Sequence, residues 1–279
     1  MSLIEFRSIS KRFGRQVVLD RVSLNIEKGQ SLIILGASGS GKSVMLKHMV
    51  GLLRPDSGEV WFGGQRIDEL PEIKLAKIRE EFGLLFQMGA LFDSMTVEEN
   101  VAFPVMEHTD KPPEEASRIV DEKLRMVGLP EVRKKMPAEL SGGQRKRVAL
   151  ARAIALNPHV ILYDEPTTGL DPVRADVINE LIIKLQRELK VTSVVVTHDM
   201  HSAFKVGDRM VMLHEGHLIF DGTPEQIKES DNPLIRHFVR GEADESELAG
   251  LRESSATDTP PSRSAATQRE MSRPPAERR

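Results

Sequence analysis

An α/β fold follows from three features of the sequence. The continuous apolar run SLIIL (31–35) opens into a glycine-rich loop and then into the helical pattern VMLKHMVGLL (44–53). Two more apolar runs, HVILYDEP (159–166) and TSVVVTHD (192–199), enclose the helical pattern ADVINELIIKLQREL (175–189). Strands that are apolar on both faces and alternate with helices belong to a sheet covered on both sides.

The elements follow in chain order. LIEFRSI (3–9) and RVSLNIE (21–27) alternate apolar and polar residues as half-buried strands do, and Lys28-Gly29 marks the turn before the first buried strand. Residues from about 90 to 157 read as mostly helical, in VEENVAFPVMEH, EEASRIVDEKLRMVGL and the run after Ser141, interrupted by Pro104, Pro112-Pro113 and Pro137. MVMLHEGHLIFDG (210–222) reads as a hairpin turning at Glu215-Gly216. From about residue 242 the chain becomes rich in Ser, Pro, Arg, Thr and Ala, a composition that cannot bury enough apolar surface to order itself. The expected layout is a folded domain over residues 1–240, with a helical subdomain at about 90–157, and a largely disordered extension over 241–279.

Composition narrows the function. The 279 residues are 39% hydrophobic and 29% charged with a formal net charge of -3, which gives neither a basic field for nucleic acid nor an acidic, unfolded character. There is no cysteine, so disulfides and thiolate chemistry are excluded, which fits a reducing compartment. No apolar run approaches the roughly 18 residues that a membrane span requires, and MSLIEFRSISKRFG lacks the apolar stretch of a signal peptide. A cytoplasmic protein is expected, with any membrane connection made through a partner.

GASGSGKS, residues Gly36, Ala37, Ser38, Gly39, Ser40, Gly41, Lys42 and Ser43, fits G-x-x-x-x-G-K-[ST] in full. The glycines let successive N–H groups point at phosphate oxygens, and the following helix adds its positive end. Lys42 would reach the β- and γ-phosphates and Ser43 would ligate Mg²⁺. A flexible Gly/Ser loop could match the pattern by chance, but here a buried strand precedes it and a helix follows. Asp164, at the end of a second buried strand, would hold the metal, directly or through water. Glu165 would orient or deprotonate an attacking water. In isolation these two acids could equally be an ordinary loop pair.

LSGGQ, from Leu140 to Gln144, separates this chain from other phosphate-loop proteins. Ser141 is a good N-cap, and Gly142-Gly143 free the backbone so that a helix N-terminus can face a phosphate. With the phosphate loop and YDEP, the chain over about 3–230 resembles the ATPases of ABC (ATP-binding cassette) transporters. The resemblance implies a P-loop (RecA-like) core with an antiparallel β subdomain and a helical subdomain, ATP hydrolysis, and Mg²⁺. Phe13 matches the adenine-stacking aromatic, for which the family more often has tyrosine. Gln87, in LLFQMGALF, matches the catalytic glutamine that contacts Mg²⁺ and the attacking water and couples to the membrane subunit. Asp171, in TTGLDP, matches an acid at the dimer interface, and His198, in VVVTHD, matches the histidine that contacts the γ-phosphate. The resemblance further implies a head-to-tail homodimer in the ATP-bound state, in which Ser141, Gly142, Gly143 and Gln144 of one chain face the nucleotide of the other.

FQMGALFDSMTVEENVAFPVMEH, with THDMHSAFKVGDRMVMLHEGHLIFDGTPEQI and NPLIRHFVRG, is similar to the subfamily that drives Mla-type and MCE-associated phospholipid transport. That similarity implies two permease subunits, an MCE-domain protein, sometimes a STAS-domain subunit, and a place on the cytoplasmic face of the inner membrane. Leu91, Phe92, Met95, Val97 and Phe103 could line a groove for the permease or could form the core of the helical subdomain. Leu234, Ile235 and Phe238, at helical spacing, could begin a contact with a neighbouring subunit. Two other readings stand beside this one: an importer ATPase for a polar solute, and a soluble ABC ATPase without a permease. A permease-free ATPase usually carries two cassettes or a long coiled-coil insertion, and neither is present here.

Overall fold

The computed structural model describes residues 2–242, so all of the C-terminal extension beyond 242 lies outside the described residues. The chain opens with β1 (Ser2–Phe13), β2 (Gln16–Glu27) and β3 (Ser31–Leu35), followed by α1 (Lys42–Met49). Next come β4 (Ser57–Phe62), β5 (Gln65–Arg66), α2 (Glu72–Arg79) and β6 (Phe82–Leu85). Three helices follow, α3 (Val97–His108), α4 (Pro113–Met126) and α5 (Gly142–Ala153), with short 3-10 turns between the last two. The chain then alternates through β7 (Val160–Asp164), α6 (Pro172–Leu189), β8 (Thr192–Val196), α7 (Met200–Val206), β9 (Arg209–His214) and β10 (His217–Gly222). It ends in α8 (Pro224–Lys228) and α9 (Pro233–Arg240).

The main sheet has the order β10-β9-β3-β8-β7-β6, parallel except for the antiparallel edge strand β10. β3 and β8 lie in its centre and are buried at every residue, as the apolar runs require. A second sheet, β2-β1-β4-β5, is antiparallel and formed by the N-terminal strands. Its alternation has a clear cause: Ile4, Phe6 and Ile9 of β1 and Val22, Leu24 and Ile26 of β2 all face the core.

The two faces of the main sheet carry different covers. Leu32, Ile34, Val194 and Val196 face the antiparallel sheet and α1. Ile33, Leu35, Ile161, Tyr163 and Val195 face the helices α3 to α7. Because the side-chain period of a strand is two, one apolar run serves both layers.

Four expectations are modified by the fold. Pro104 does not interrupt its helix; α3 runs through it. Val97, Val101 and Val105, four residues apart, are buried on one face, and Thr96 with Glu99 forms a reciprocal cap at its start. Those contacts outweigh the ~3 kcal/mol that an interior proline costs. Pro113 and Pro137 instead begin new turns, where a missing N–H costs nothing. Of the apolar residues after Gln87, Val97 belongs to the core and Leu91 packs against it, whereas Phe92 stays exposed beside Phe103, 4.9 Å between ring centres. In α9, Ile235 is buried and Phe238 packs on this chain's own core, which leaves Leu234 as the exposed member of that set.

The hairpin β9–β10 turns at Glu215-Gly216, both at positive φ (46° and 81°), as a two-residue turn of the primed type requires. The strands β4, β5 and β6 and the helices α2, α7 and α8 have no periodic pattern in the sequence that announces them. They are short, and their burial is partial or confined to a few positions. Among the described residues, no helix is long and apolar enough to cross a membrane.

Candidate functional site

The site lies at the carboxyl ends of β3, β7 and β8, where the parallel arrangement of the main sheet brings three loops together. After β3 the chain makes a tight loop through Gly36, Ala37, Ser38, Gly39 and Ser40 into α1, with Gly41 at its N-cap. The glycines are sterically dictated. Gly36 has φ 152°, and a Cβ there would stand 2.4 Å from the Leu213 carbonyl oxygen. Gly41 has φ 106°, and a Cβ would meet Val18 Cγ1 at 2.9 Å.

Lys42 is buried, and its Nζ donates to the carbonyls of Gly36 (2.7 Å) and Ala37 (2.9 Å). Burial pulls its pKa down, opposed by the carboxylates of Glu165 and Asp164. The Glu165 Oε1 lies 4.0 Å from Lys42 Nζ. Ser43 Oγ donates to Asp164 Oδ1 at 3.1 Å, which joins the start of α1 to the end of β7. Burial raises the Asp164 pKa, with the Ser43 bond pulling the other way.

Glu165 is held from several sides. Its backbone is in the left-handed region at φ 50°, a strained conformation for a residue with a Cβ. Its N–H donates to Val196 O at 2.9 Å. One carboxylate oxygen accepts from Thr168 Oγ1 at 3.2 Å, and the carboxylate meets His198 Nδ1 at 2.9 to 3.0 Å. The Glu165 side chain is only 12% exposed, whereas that of His198 is 61% exposed. A buried acceptor beside an exposed imidazole suits a pair that handles a proton at the rim of a pocket.

The fold thus brings together the loop 36–41, Lys42, Ser43, Asp164, Glu165 and His198. Among the described residues, the other named residues make no side-chain hydrogen bond to that cluster. Phe13, at the end of β1, is 47% exposed, with Lys11 Nζ 5.7 Å from its ring centre. Gln87 is exposed in the turn after β6. Ser141 caps α5: its Oγ accepts from Gln144 N at 3.3 Å, and Gln144 Oε1 accepts from Ser141 N at 3.0 Å. Gly142 and Gly143 are ordinary helical residues, and an added Cβ at either would meet neighbours only at 3.6 Å or more. Their small size bares the helix end; they do not serve by unusual backbone angles. Asp171 caps α6, accepting from Arg174 N at 3.0 Å, and it remains half exposed.

Two contacts escaped sequence reasoning. Thr168 bonds to Glu165 from three residues on, a spacing visible in EPTT but without a period to flag it. Lys146, four residues into α5, bonds only to backbone carbonyls, which no residue pattern announces.

The donors also fit the expected ligands. Ser43 and Asp164 present hard oxygen atoms side by side, the kind that Mg²⁺ prefers. Ser40 Oγ is buried in the glycine loop and lacks a partner among the described residues, as a hydroxyl meant for a phosphate oxygen would.

A glycine loop between a buried parallel strand and a helix, facing paired acids on the next strand, defines a P-loop NTPase. The ABC transporter family profile matches residues 19–168, more than half of the chain. A Mycobacterium leprae protein named probable ribonucleotide transport ATP-binding protein mkl is 45% identical over 238 residues, covering 85% of this chain and 69% of that protein. The Haemophilus influenzae intermembrane phospholipid transport system ATP-binding protein MlaF is 42% identical over 243 residues, covering 87% and 92% of the two chains. Among solved structures, the dimeric post-hydrolysis state of the ATP-binding cassette MJ0796 with ADP and Pi superimposes with a TM-score of 0.73 at 36% identity, covering 79% and 98%. The chain belongs to the ABC transporter family, as its ATP-binding and ATP-hydrolysing subunit.

Proposed function

We propose that this subunit powers phospholipid transport between the inner and outer membranes. It would work as a homodimer bound peripherally to the cytoplasmic face of a permease. The observation that carries the cargo is the match along 92% of the Haemophilus phospholipid-transport ATPase. An MCE-domain protein, and in some assemblies a STAS-domain subunit, would complete the complex. The domain layout is a cassette over 1–240 with its helical part at about 90–157, followed by an extension over 241–279. The apolar side chains Phe86, Met88 and Phe92, after β6, and Met106, on α3, are exposed, which suits a permease contact in this part of the chain.

In the site, the loop N–H groups and Lys42 cradle the phosphates, with Phe13 available to stack on adenine. Ser43 Oγ, Asp164 and Gln87 would hold Mg²⁺, which when bound would neutralise phosphate charge. Glu165 orients a water toward the γ-phosphorus and takes its proton as the new P–O bond forms and the bond to the β-γ bridging oxygen breaks. ADP leaves with the electron pair of that bond. His198, held on Glu165, hydrogen-bonds the γ-phosphate oxygens as charge develops there. Ser141, Gly142, Gly143 and Gln144 of the second subunit close over the γ-phosphate, and Asp171 lies at that dimer contact.

A second reading rests on the mycobacterial relative named for ribonucleotide transport: a transporter of polar solutes with the same engine. Purification of the tagged chain from its native membranes, with mass spectrometry of co-purifying proteins and lipids, separates the two. An MCE-domain protein, a permease and bound phospholipid are expected. A permease with a solute-binding protein and no enriched lipid would refute the phospholipid reading. For the chemistry, Glu165→Gln is expected to abolish hydrolysis while ATP still binds, and retained turnover would remove Glu165 from the role of base.

A further inference from the structure

Lys146 stands apart from the residues that bind nucleotide, yet its contacts converge on the catalytic turn. It projects from α5, the helix that begins at Ser141, and is 6% exposed. Its Nζ donates to the carbonyls of Pro166 (2.7 Å) and Thr168 (2.7 Å) and lies 3.4 Å from that of Glu165. These three carbonyls belong to the turn that holds Glu165 at φ 50°.

We propose that Lys146 is a positioning residue for hydrolysis, an ammonium clamp that holds the strained turn after β7 and so aims the Glu165 carboxylate. This rests on the assignment of Glu165 as the base. The geometry matches the task. A tight turn points its carbonyls to one side, and a buried group there must find donors. A lysine ammonium carries three N–H bonds at a single point, one for each of the three carbonyls. Burial pushes the Lys146 pKa down to about 8, with the Glu165 charge pulling it back up, so the ammonium keeps its proton at neutral pH. Without the clamp, Glu165 can relax to a negative φ, which swings its carboxylate away from Thr168 and His198. The phosphate loop follows β3 and Lys42 begins α1, so both are held outside this turn and stay in place.

The prediction therefore separates kcat from KM. In the purified full-length chain, Lys146→Met is expected to lower kcat for ATP by at least 30-fold, with KM and the Kd of a fluorescent ATP analogue unchanged within about twofold. Lys146→Arg, which keeps the charge and the donors, should recover kcat to within about fivefold of the unmodified chain. A purely structural lysine would instead lower the melting temperature and weaken nucleotide binding together, without recovery in the arginine variant. That pattern, or a Lys146→Met enzyme with normal kcat, overturns the proposal. Should Lys146→Met fail to fold, Lys146→Gln reads the same quantity, and a normal kcat in that variant overturns the clamp equally. Glu165→Gln is run in parallel. Turnover surviving in Glu165→Gln faults the base assignment, whereas turnover lost in Glu165→Gln but normal in Lys146→Met faults the clamp alone.

Discussion

At the scale of single residues, the site depends on atoms that tolerate little displacement. A methyl group at Gly36 would lie 2.4 Å from the Leu213 carbonyl oxygen. Gly36→Ala is therefore expected to distort the loop, abolish nucleotide binding and cost about 2–4 kcal/mol in stability. Isothermal titration with ATP and thermal melting check both parts, and tight binding by this variant would contradict the steric argument. His198 is mostly exposed and its side chain is joined to Glu165, so its removal should leave the fold nearly unchanged. His198→Ala is expected to lower kcat by about 100-fold with little change in melting temperature. A large drop in melting temperature would assign His198 a structural role instead.

At the scale of elements, buried polar groups fix the helices next to the site. Asn100 is fully buried in α3. Its side chain accepts from Phe92 N at 2.8 Å and donates to the carbonyls of Phe92, Met95 and Thr96 at 3.0 to 3.1 Å. One side chain thus fastens the segment from Phe92 to Thr96 that leads into α3. Asn100→Ala leaves those groups unpaired and is expected to cost about 2–4 kcal/mol, measured by urea unfolding. Nearby, Arg133 bonds Glu98 of α3 and Asp121 of α4 and holds the Glu98 pKa down to about 2. A depressed carboxylate pKa contributes stability above its unfolded value of 4.5, and that contribution is lost as pH falls from there toward 2. Glu98→Gln should therefore destabilise the protein by roughly 1–2 kcal/mol at neutral pH and by much less at pH 2 to 3. An equal effect at both pH values would rule out the ion pair as its source.

At the scale of the whole molecule, one chain carries the cradle and the acids at one place and the bare end of α5 at another. Among the described residues, no side-chain hydrogen bond joins residues 140–144 to the loop 36–43, so the capped helix end is free to meet a second copy. Hydrolysis per chain is accordingly expected to rise with protein concentration before it levels off. Glu165→Gln with ATP should shift to a dimer by light scattering, and a monomer at all concentrations would count against the shared site.

The nucleotide engine is legible in the sequence. A phosphate loop, a strand-end acid pair and a short serine-capped motif are local patterns whose spacing follows from backbone geometry, so each was legible from neighbouring residues. The apolar runs likewise specified a buried parallel sheet, because strands covered on both faces are mostly apolar rather than alternating, with only the small Ser31, Thr192 and Ser193 admitted among the buried residues of β3 and β8. Which distant residues meet is set by folding. The strand order places Ser43 beside Asp164 and His198 beside Glu165, although 121 and 33 residues separate them. It also decided that α3 continues through Pro104 and that Ile235 and Phe238 serve this chain's own core. Lys146 was invisible in the sequence for the same physical reason: its partners are backbone carbonyls, which every residue possesses and which only the folded turn aligns.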